Sequence, residues 1–246
     1  MCGIVGYIGT CQAAPVLLDG LSKLEYRGYD SAGIAVYDGN KIQMQKAMGR
    51  LKVLEEMTQN GATLPGTVGI GHTRWATHGA PSDLNAHPHF NKDHSIVVVH
   101  NGIIENYDEL KKELTKKGYV FKSGTDTEVA AAVIDDVYNK EKDMIKVLNK
   151  ITHILKGSYA FNIINDDYKD VIFGIRKDSP LIVGIGENEN VLASDIPAIV
   201  HITNKYVVLD NYDVVYLTKD NVKYYNREGK EIQKTVKEFP LEKETI

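Results

Sequence analysis

The sequence predicts an α+β protein whose strands are mainly antiparallel. Helical apolar patterns are concentrated in the middle of the 246-residue chain, and strand patterns separated by turn residues dominate both ends. Strands and helices do not alternate regularly, which argues against a parallel sheet built from strand–helix–strand units. These observations favour antiparallel sheets layered with helices.

The N-terminal part of the chain predicts three strands and two helices. Asp38-Gly39-Asn40 lies between two strand patterns and is a strong hairpin signal. Gly28 is suited to ending the first helical pattern. The predicted elements are strand Cys2–Ile8, helix Pro15–Leu24, strands Ser31–Tyr37 and Lys41–Ala47, and helix Arg50–Met57.

The middle of the chain contains the longest helical patterns. The polar stretch Ala80–Asp93 predicts a loop, and long loops in compact domains are usually functional or disordered. Asn106 followed by Glu109 resembles a helix-capping arrangement. The predicted elements are strands Thr67–Gly71, Ser95–His100 and Tyr119–Lys122, a helix from Asn106 to Lys117, a helix that follows Ser123–Glu128 and ends near Asn139, and a helix from Asp143 to Lys156.

Strand follows strand in the C-terminal part, with turns between them. No linker-like composition interrupts the chain before Glu238, so we predict one domain over residues 2–238 and the start of a linker at 239–246. The predicted strands are Ser158–Asn165, Asp170–Arg176, Leu181–Gly186, Val191–Ser194, Lys205–Leu209, Val214–Thr218 and Val222–Tyr225.

The bulk composition is that of an ordinary globular protein. Lys and Arg number 29 against 33 Asp and Glu, so no basic surface for nucleic acid or an anionic membrane is predicted. No apolar run approaches the roughly 20 residues that span a bilayer, and the start has no signal-peptide pattern. With only two cysteines, these features predict a cytoplasmic protein.

The residue best suited to nucleophilic catalysis is Cys2. Removal of Met1 would leave a thiol, with a pKa of about 8.5, beside a free α-amine, with a pKa of about 7.7–8.0. The amine would then be able to act as base for its own thiol. The competing interpretation is a buried terminal cysteine that packs as a small hydrophobic residue.

Three further segments contain residues suited to binding or catalysis. Arg74 offers a guanidinium for a carboxylate, or an ordinary ion pair at a sheet edge. Asn101 and Gly102 offer a side-chain amide and a backbone N–H to a tetrahedral oxyanion, or simply a turn. Asp126 is suited to an α-ammonium group, although it or Thr125 is also a natural helix N-cap.

A cluster of histidines raises the alternative of a metal site. Only His87 and His89 are closely spaced, and no cysteine is adjacent, so the sequence predicts no metal. A histidine base for Cys2 is a further alternative. The histidines concerned are His72, His78, His87, His89, His94 and His100.

Five motifs, in this order and spacing, resemble the glutaminase domain of class II glutamine amidotransferases, which are N-terminal-nucleophile hydrolases. They are Cys2–Tyr7, Leu24–Gly33, Gly71–Gly79, His100–Asn106 and Ser123–Glu128. The resemblance covers essentially the whole chain. It implies a four-layer αββα sandwich with two antiparallel sheets, a refinement that the strand and helix patterns alone do not reach.

The resemblance also implies a role for each matching residue, with L-glutamine as substrate and no cofactor. Cys2 matches the nucleophile that forms a γ-glutamyl thioester, and Asn101 and Gly102 match the oxyanion hole. Arg74 and Asp126 match the residues that bind the α-carboxylate and α-ammonium groups of glutamine.

Supporting positions are implied in the same way. Thr77 and His78 match positions that line the glutamine pocket, and Trp75 matches the residue that gates ammonia passage. Arg27 matches the residue that supports the terminus of the nucleophile. His87 matches a family position near the active site without an assigned role.

Within the class, the motifs look most like those of enzymes that convert fructose 6-phosphate to glucosamine 6-phosphate. Fructose 6-phosphate would then be a partner only through sugar-isomerase domains that this sequence does not contain. Two alternatives remain: the glutaminase domain of another class II amidotransferase, and a regulatory module that binds glutamine without turnover.

Overall fold

Two antiparallel sheets packed face to face, with helices on both outer sides, form the four layers of the protein. The computed structural model describes residues 2–76 and 79–240. Met1, the predicted pocket residues Thr77 and His78, and most of the predicted linker therefore lie outside the described residues. No helix in the described part is long and apolar enough to cross a membrane.

The strands form one sheet of eight and one of seven, and all the strand pairs recorded among the described residues are antiparallel. The strands are β1 (Gly3–Ile8), β2 (Ser31–Tyr37), β3 (Ile42–Met48), β4 (Val68–Arg74), β5 (His89–Phe90), β6 (Ile96–Ile104), β7 (Gly157–Asn165), β8 (Ile172–Lys177), β9 (Ile182–Ile185), β10 (Asn190–Ala193), β11 (Lys205–Val208), β12 (Val214–Leu217), β13 (Val222–Tyr225), β14 (Glu231–Ile232) and β15 (Lys237–Glu238). The first sheet has the order β15-β11-β9-β10-β1-β4-β2-β3, and the second has the order β14-β13-β12-β8-β7-β6-β5.

The helices divide between the two outer faces. Helices α1 and α2 pack on the first sheet, and α3, α4 and α5 pack on the second. The helices are α1 (Ala13–Ser22), α2 (Leu51–Met57), α3 (Tyr107–Lys116), α4 (Asp126–Glu141) and α5 (Met144–Ile154), with short 3₁₀ turns at Glu25–Arg27 and Ile196–Ala198.

Side chains that alternate between the two faces of each strand form the apolar cores between the sheets and helices. In β1, Ile4 and Ile8 join the core between the two sheets, whereas Val5 and Tyr7 join the core beneath α1. Because successive side chains of a strand point to opposite faces, each central strand supplies two cores. Three apolar cores therefore hold the sandwich together: one between the two sheets, and one between each sheet and its helices.

Three local predictions are wrong, and so is the turn alternative for Asn101-Gly102, because β6 continues through both residues to Ile104. The predicted loop Ala80–Asp93 contains the short strand β5. Tyr119–Lys122 forms no strand. The Asn106 side chain does not cap α3; it bonds the backbone of Ile154 and Lys156 instead.

Candidate active site

The predicted site residues that the structure describes lie around one cavity of about 340 Å³ at the end of the sandwich. Its volume falls in the range of about 300–1,000 Å³ that is typical of small-molecule sites. The cavity lies where β1 and β4 of the first sheet meet β6 and the start of α4 on the second. The predicted residues in its lining are Cys2, Arg27, Arg74, Trp75, Asn101, Gly102 and Asp126.

Cys2 lies immediately before β1, and its thiol faces the end of β4. The backbone N–H of Trp75 donates to Sγ at 3.1 Å. Burial raises the pKa of the Cys2 thiol, and this hydrogen bond opposes the shift without cancelling it. The resting thiol therefore holds its proton, and a base must remove it before attack.

Asn101 connects the second sheet directly to Cys2. Its Nδ2 donates to the backbone carbonyl oxygen of Cys2 at 2.8 Å. A carboxamide nitrogen carries two N–H groups, so this contact leaves a second donor on the same atom. Gly102 has a φ of +124°, and a Cβ there would lie 2.2 Å from the Ser158 carbonyl oxygen, so only glycine fits.

His72 contacts the other end of the Asn101 side chain. Its Nε2 lies 3.0 Å from Asn101 Oδ1 and 3.0 Å from the carbonyl oxygen of His100. Burial lowers the pKa of His72 to about 3, so the ring is neutral near pH 7. Both neighbours of Nε2 are acceptors, which assigns the single ring proton to that nitrogen.

Arg74 is the last residue of β4 and is almost fully buried. Its Nη2 donates to the carbonyl oxygen of Gly79 at 2.8 Å, and its Nη1 lies 3.8 Å from the carboxylate of Asp30. β4 is an interior strand of its sheet, so this ion pair with Asp30 does not lie at a sheet edge as the alternative supposed. Gly28 packs against the Arg74 backbone, where an added Cβ would meet the carbonyl carbon at 2.6 Å.

Asp126 is the first residue of α4 and lies on the opposite side of the cavity from the first sheet. Thr125, not Asp126, is the N-cap, because its side chain accepts the backbone N–H of Glu128. Asp126 Oδ2 accepts the backbone N–H of Ile104 at 2.8 Å. The capping role thus falls to the neighbour, and a carboxylate fixed by β6 remains in the cavity lining.

Arg27 lines the cavity from the 3₁₀ turn after α1. Its Nη2 donates to Asp195 Oδ2 at 2.6 Å, and the Tyr26 hydroxyl donates to the same oxygen at 2.7 Å. Although burial acts in the opposite direction, these hydrogen bonds hold the pKa of the Asp195 carboxyl below its usual value. Arg27 is therefore held in place by a fixed anion.

The buried histidines form a hydrogen-bonded stack behind the cavity. The rings of His72 and His87 are parallel with centroids 4.0 Å apart, and His89 packs edge-on against His87. His87 Nδ1 accepts the backbone N–H of His100, and the Thr127 hydroxyl lies between the His87 and His100 rings. Within residues 2–76 and 79–240, no group of histidine, cysteine or acidic side chains has the geometry of a metal site.

Several residues of the site had no place in it in the sequence-based interpretation. Asp30 lay in a motif without a role, and His72 was considered only as a metal ligand or a base; both act on predicted residues through tertiary contacts. Four lining residues lie outside the five motifs: Ser158, Asp178, Ser179 and Pro180. Four others lie within motifs but were not predicted to line the cavity: His100, Ile103, Thr125 and Thr127. His87, for which the sequence gave no role, also lines the cavity.

Comparison with known proteins identifies relatives along nearly the whole chain. Glutamine–fructose-6-phosphate aminotransferase (isomerizing) of Caldanaerobacter subterraneus is 51% identical over 236 residues, which are 96% of this chain and 38% of that protein. The protein of the same name from Aquifex aeolicus is 49% identical over 236 residues, covering 96% of this chain and 39% of that protein. The chain thus spans well under half the length of these curated relatives.

Solved structures support the fold. Glutamine phosphoribosylpyrophosphate amidotransferase of B. subtilis, solved with ADP and GMP, matches with a TM-score of 0.78 and 27% identity over 92% of this chain and 49% of that chain. A glutamine aminotransferase class-II domain protein from Silicibacter pomeroyi matches with a TM-score of 0.61 over 92% of this chain and 99% of that chain. At 12% identity, the second likeness concerns the fold alone. The predicted α+β sandwich of two antiparallel sheets is confirmed.

A family model described as a glutamine amidotransferase domain matches residues 72–201, more than half of the chain. This range contains the end of β4 with Arg74, β6 with Asn101 and Gly102, and the start of α4 with Asp126. The chain belongs to the family of class II glutamine amidotransferase domains.

Proposed function

We propose that this chain hydrolyses L-glutamine to glutamate and ammonia through a γ-glutamyl thioester on Cys2. One observation carries the proposal. A thiol, a paired amide and backbone N–H, a buried guanidinium and a buried carboxylate converge on a single cavity. The first two are the parts needed to attack a carboxamide, and the last two match the charged ends of a free amino acid.

The substrate is held by its two charges. Arg74 provides the cation for the α-carboxylate, and Asp126 provides the anion for the α-ammonium group. Their backbone anchors, Gly79 and Ile104, fix both side chains before the substrate arrives. An analogue that lacks one charged end leaves a buried charge unpaired, so such a site discriminates strongly against it.

The chemistry begins with proton transfer from the Cys2 thiol to its own α-amine, which is free once Met1 is removed. The sulfur attacks the side-chain carboxamide carbon, and Asn101 Nδ2 and the Gly102 N–H stabilise the oxyanion that forms. The amine then gives the proton to the leaving nitrogen. Ammonia departs, and the γ-glutamyl thioester remains on Cys2. Water then hydrolyses the thioester, releasing glutamate and restoring the thiol.

A glutamate-release assay tests this function, combined with the mass of the N-terminal peptide. We expect a chain that begins at Cys2 and releases glutamate and ammonia in equal amounts from glutamine. Glutaramate, which lacks the α-ammonium group, and 4-aminobutanamide, which lacks the α-carboxylate, should be poor substrates. A chain that retains Met1 and binds glutamine without turnover contradicts the enzyme proposal and supports a regulatory module.

We further propose that the ammonia serves amino-sugar synthesis in a longer protein. The two curated relatives described above carry the name glutamine–fructose-6-phosphate aminotransferase, and this chain corresponds to less than two fifths of their length. Fructose 6-phosphate would be bound, and glucosamine 6-phosphate made, by the sugar-isomerase domains. The division into residues 2–238 and a linker from 239, and a cytoplasmic location, are part of this proposal.

The proposed role in amino-sugar synthesis is tested by comparing glutamate release with and without fructose 6-phosphate. The comparison is made first for this chain and then for a protein carrying the isomerase domains. We expect the sugar phosphate to change the rate only in the longer protein. An equal response in this chain alone would place the sugar-phosphate site within residues 1–246 and contradict the assignment.

A further inference from the structure

The Asn101 side chain has two orientations of nearly identical shape, and only one of them is chemically useful. With Nδ2 toward Cys2, the amide presents N–H groups to the reacting carbonyl. With the amide reversed, an oxygen would face the developing negative charge and repel it. Some neighbour must therefore select one orientation of this amide.

We propose that His72 is that neighbour, a positioning residue whose ring N–H holds the Asn101 amide with Nδ2 facing the nucleophile. The inference rests on the proposed hydrolysis of glutamine at Cys2. His72 is not itself in the cavity lining and has no recorded contact with Cys2 among the described residues; it reaches the cavity through lining residues such as Asn101. Its effect on catalysis passes through Asn101.

The selection begins with a backbone carbonyl. The oxygen of His100 lies 3.0 Å from His72 Nε2 and can only accept a hydrogen bond. The proton of the neutral imidazole is therefore on Nε2. Nδ1 then carries a lone pair and no proton. It is buried without a hydrogen-bond partner among the described residues, which costs less for an unprotonated nitrogen than for an N–H donor.

The same N–H then selects the amide orientation. Asn101 Oδ1, 3.0 Å from Nε2, accepts the shared proton, and Nδ2 is left to donate to the Cys2 carbonyl oxygen at 2.8 Å. The reversed amide would place two donors against each other at His72 and two acceptors against each other at Cys2. Both ends of the side chain thus oppose reversal.

The ring keeps this role over the working pH range. Its stacking on His87, with planes 12° apart, fixes its orientation, and complete burial keeps it neutral. His87 accepts the backbone N–H of His100, the residue whose carbonyl oxygen sets the tautomer of His72. A chain of fixed contacts therefore runs from the core to the amide.

The test separates positioning from mere core filling by using two variants of one residue. His72→Phe keeps a ring but removes the N–H, whereas His72→Gln keeps an N–H of similar reach. We expect His72→Phe to lower kcat substantially, toward but not beyond the roughly 10²–10³-fold loss typical of removing an oxyanion donor, with little change in KM. His72→Gln should recover at least part of the lost kcat.

Two further measurements identify the route of the effect. Combining His72→Phe with Asn101→Ala should cost no more than Asn101→Ala alone, because both changes remove the same interaction. Alkylation of Cys2 by iodoacetamide, followed in a Cys11→Ala background, should keep its rate in His72→Phe. That reaction places no charge on a carbonyl oxygen, so it does not need the amide.

Additive losses in the double variant, an unchanged kcat in a folded His72→Phe protein, or an equal loss of alkylation rate would overturn the proposal. If His72→Phe does not fold, the tautomer of His72 is read in the unmodified protein from long-range ¹H–¹⁵N correlations. A proton on Nε2 supports the proposal, and a proton on Nδ1 overturns it. A wild-type protein that releases no glutamate contradicts the proposed function, and the tautomer then decides alone whether His72 orients Asn101.

Discussion

The carboxylate of Asp30 contacts the side chain of Arg74 and the backbone that follows it. Its Oδ1 lies 3.8 Å from Arg74 Nη1, and its Oδ2 accepts the backbone N–H of Ala76. Between these two contacts lies Trp75, whose own N–H donates to the Cys2 thiol. One partly buried anion therefore fixes both the guanidinium and the segment that contacts the Cys2 thiol.

We expect Asp30→Asn to weaken glutamine binding more than it slows chemistry. The amide keeps the shape of the carboxylate but removes the negative charge opposite Arg74. At 3.8 Å the contact is an ion pair without a hydrogen bond, and such a pair is worth up to about 1 kcal/mol, which corresponds to a KM for glutamine raised up to roughly 5-fold. Steady-state kinetics with glutamate release measures this change.

Asp93→Asn is the matched control, because Asp93 is an exposed aspartate outside the cavity lining. It should leave both kcat and KM unchanged. An Asp30→Asn protein with wild-type KM would show that Arg74 is held adequately by Gly79 alone.

Cys2→Ala should abolish glutamate release and leave glutamine binding largely intact. The charged groups proposed to hold the substrate are on Arg74 and Asp126, and neither depends on the sulfur atom. Calorimetry measures the retained binding, and the glutamate assay measures the lost turnover. Cys11→Ala is the control, because Cys11 is exposed and lies outside the cavity, and it should keep full activity. Residual turnover in Cys2→Ala would point to a different nucleophile.

Gly102→Ala should destabilise the fold more than a positive φ alone requires. The new methyl group would lie 2.2 Å from a backbone oxygen of the neighbouring strand. Gly118→Ala is a matched control: Gly118 has a φ of +89° and nothing within 4 Å of an added Cβ, so only the conformational cost of about 1–2 kcal/mol applies.

Urea unfolding of both variants measures the difference. We expect a larger loss of unfolding free energy for Gly102→Ala, together with a reduced kcat. Equal losses for the two variants would mean that β6 and β7 separate at this point without cost.

Stability should fall steeply as the pH is lowered below about 6.5, the ordinary pKa of histidine. Burial lowers the pKa of His72 to about 3 and holds the pKa values of His87 and His89 well below their usual range. Between these limits the unfolded chain binds protons that the folded chain excludes. Each such histidine then removes about 1.4 kcal/mol of unfolding free energy per pH unit.

Unfolding measured from pH 8 to pH 4 tests this prediction. His89→Gln should reduce the slope by about one proton, and His201→Gln, at an exposed histidine, should leave it unchanged. A slope that is the same in all three proteins would mean that the buried rings accept protons in the folded state.

The strand patterns predicted the fold class, because apolar alternation is written directly into the sequence. Two residues of the site, His72 and Asn101, also follow this alternation. Val68, Ile70 and His72 share one face of β4, and Val97, Val99 and Asn101 share one face of β6. The apolar members of both sets pack between the sheets, which indicates where His72 and Asn101 meet.

Other features depend on contacts that no local pattern reports. The Asn-Gly pair is typical of a turn, but β7 pairs along its whole length and extends β6 through it. Asp30 follows a turn segment and gains its role only when β2 aligns with the end of β4. The motif resemblance indicated the residues proposed to be catalytic, and their supporting contacts became visible only in three dimensions.

The two halves of the proposed chemistry are carried on different sheets. Cys2 and Arg74 lie at the ends of β1 and β4 of the first sheet, whereas Asn101 and Gly102 lie in β6 of the second sheet. Asp126 begins α4, which packs on the second sheet. The apolar core between the sheets therefore sets the position of the proposed nucleophile relative to the proposed oxyanion donors. Slippage of one sheet over the other by a fraction of an ångström would misalign them, so the reaction rate reports how exactly this distant core is packed.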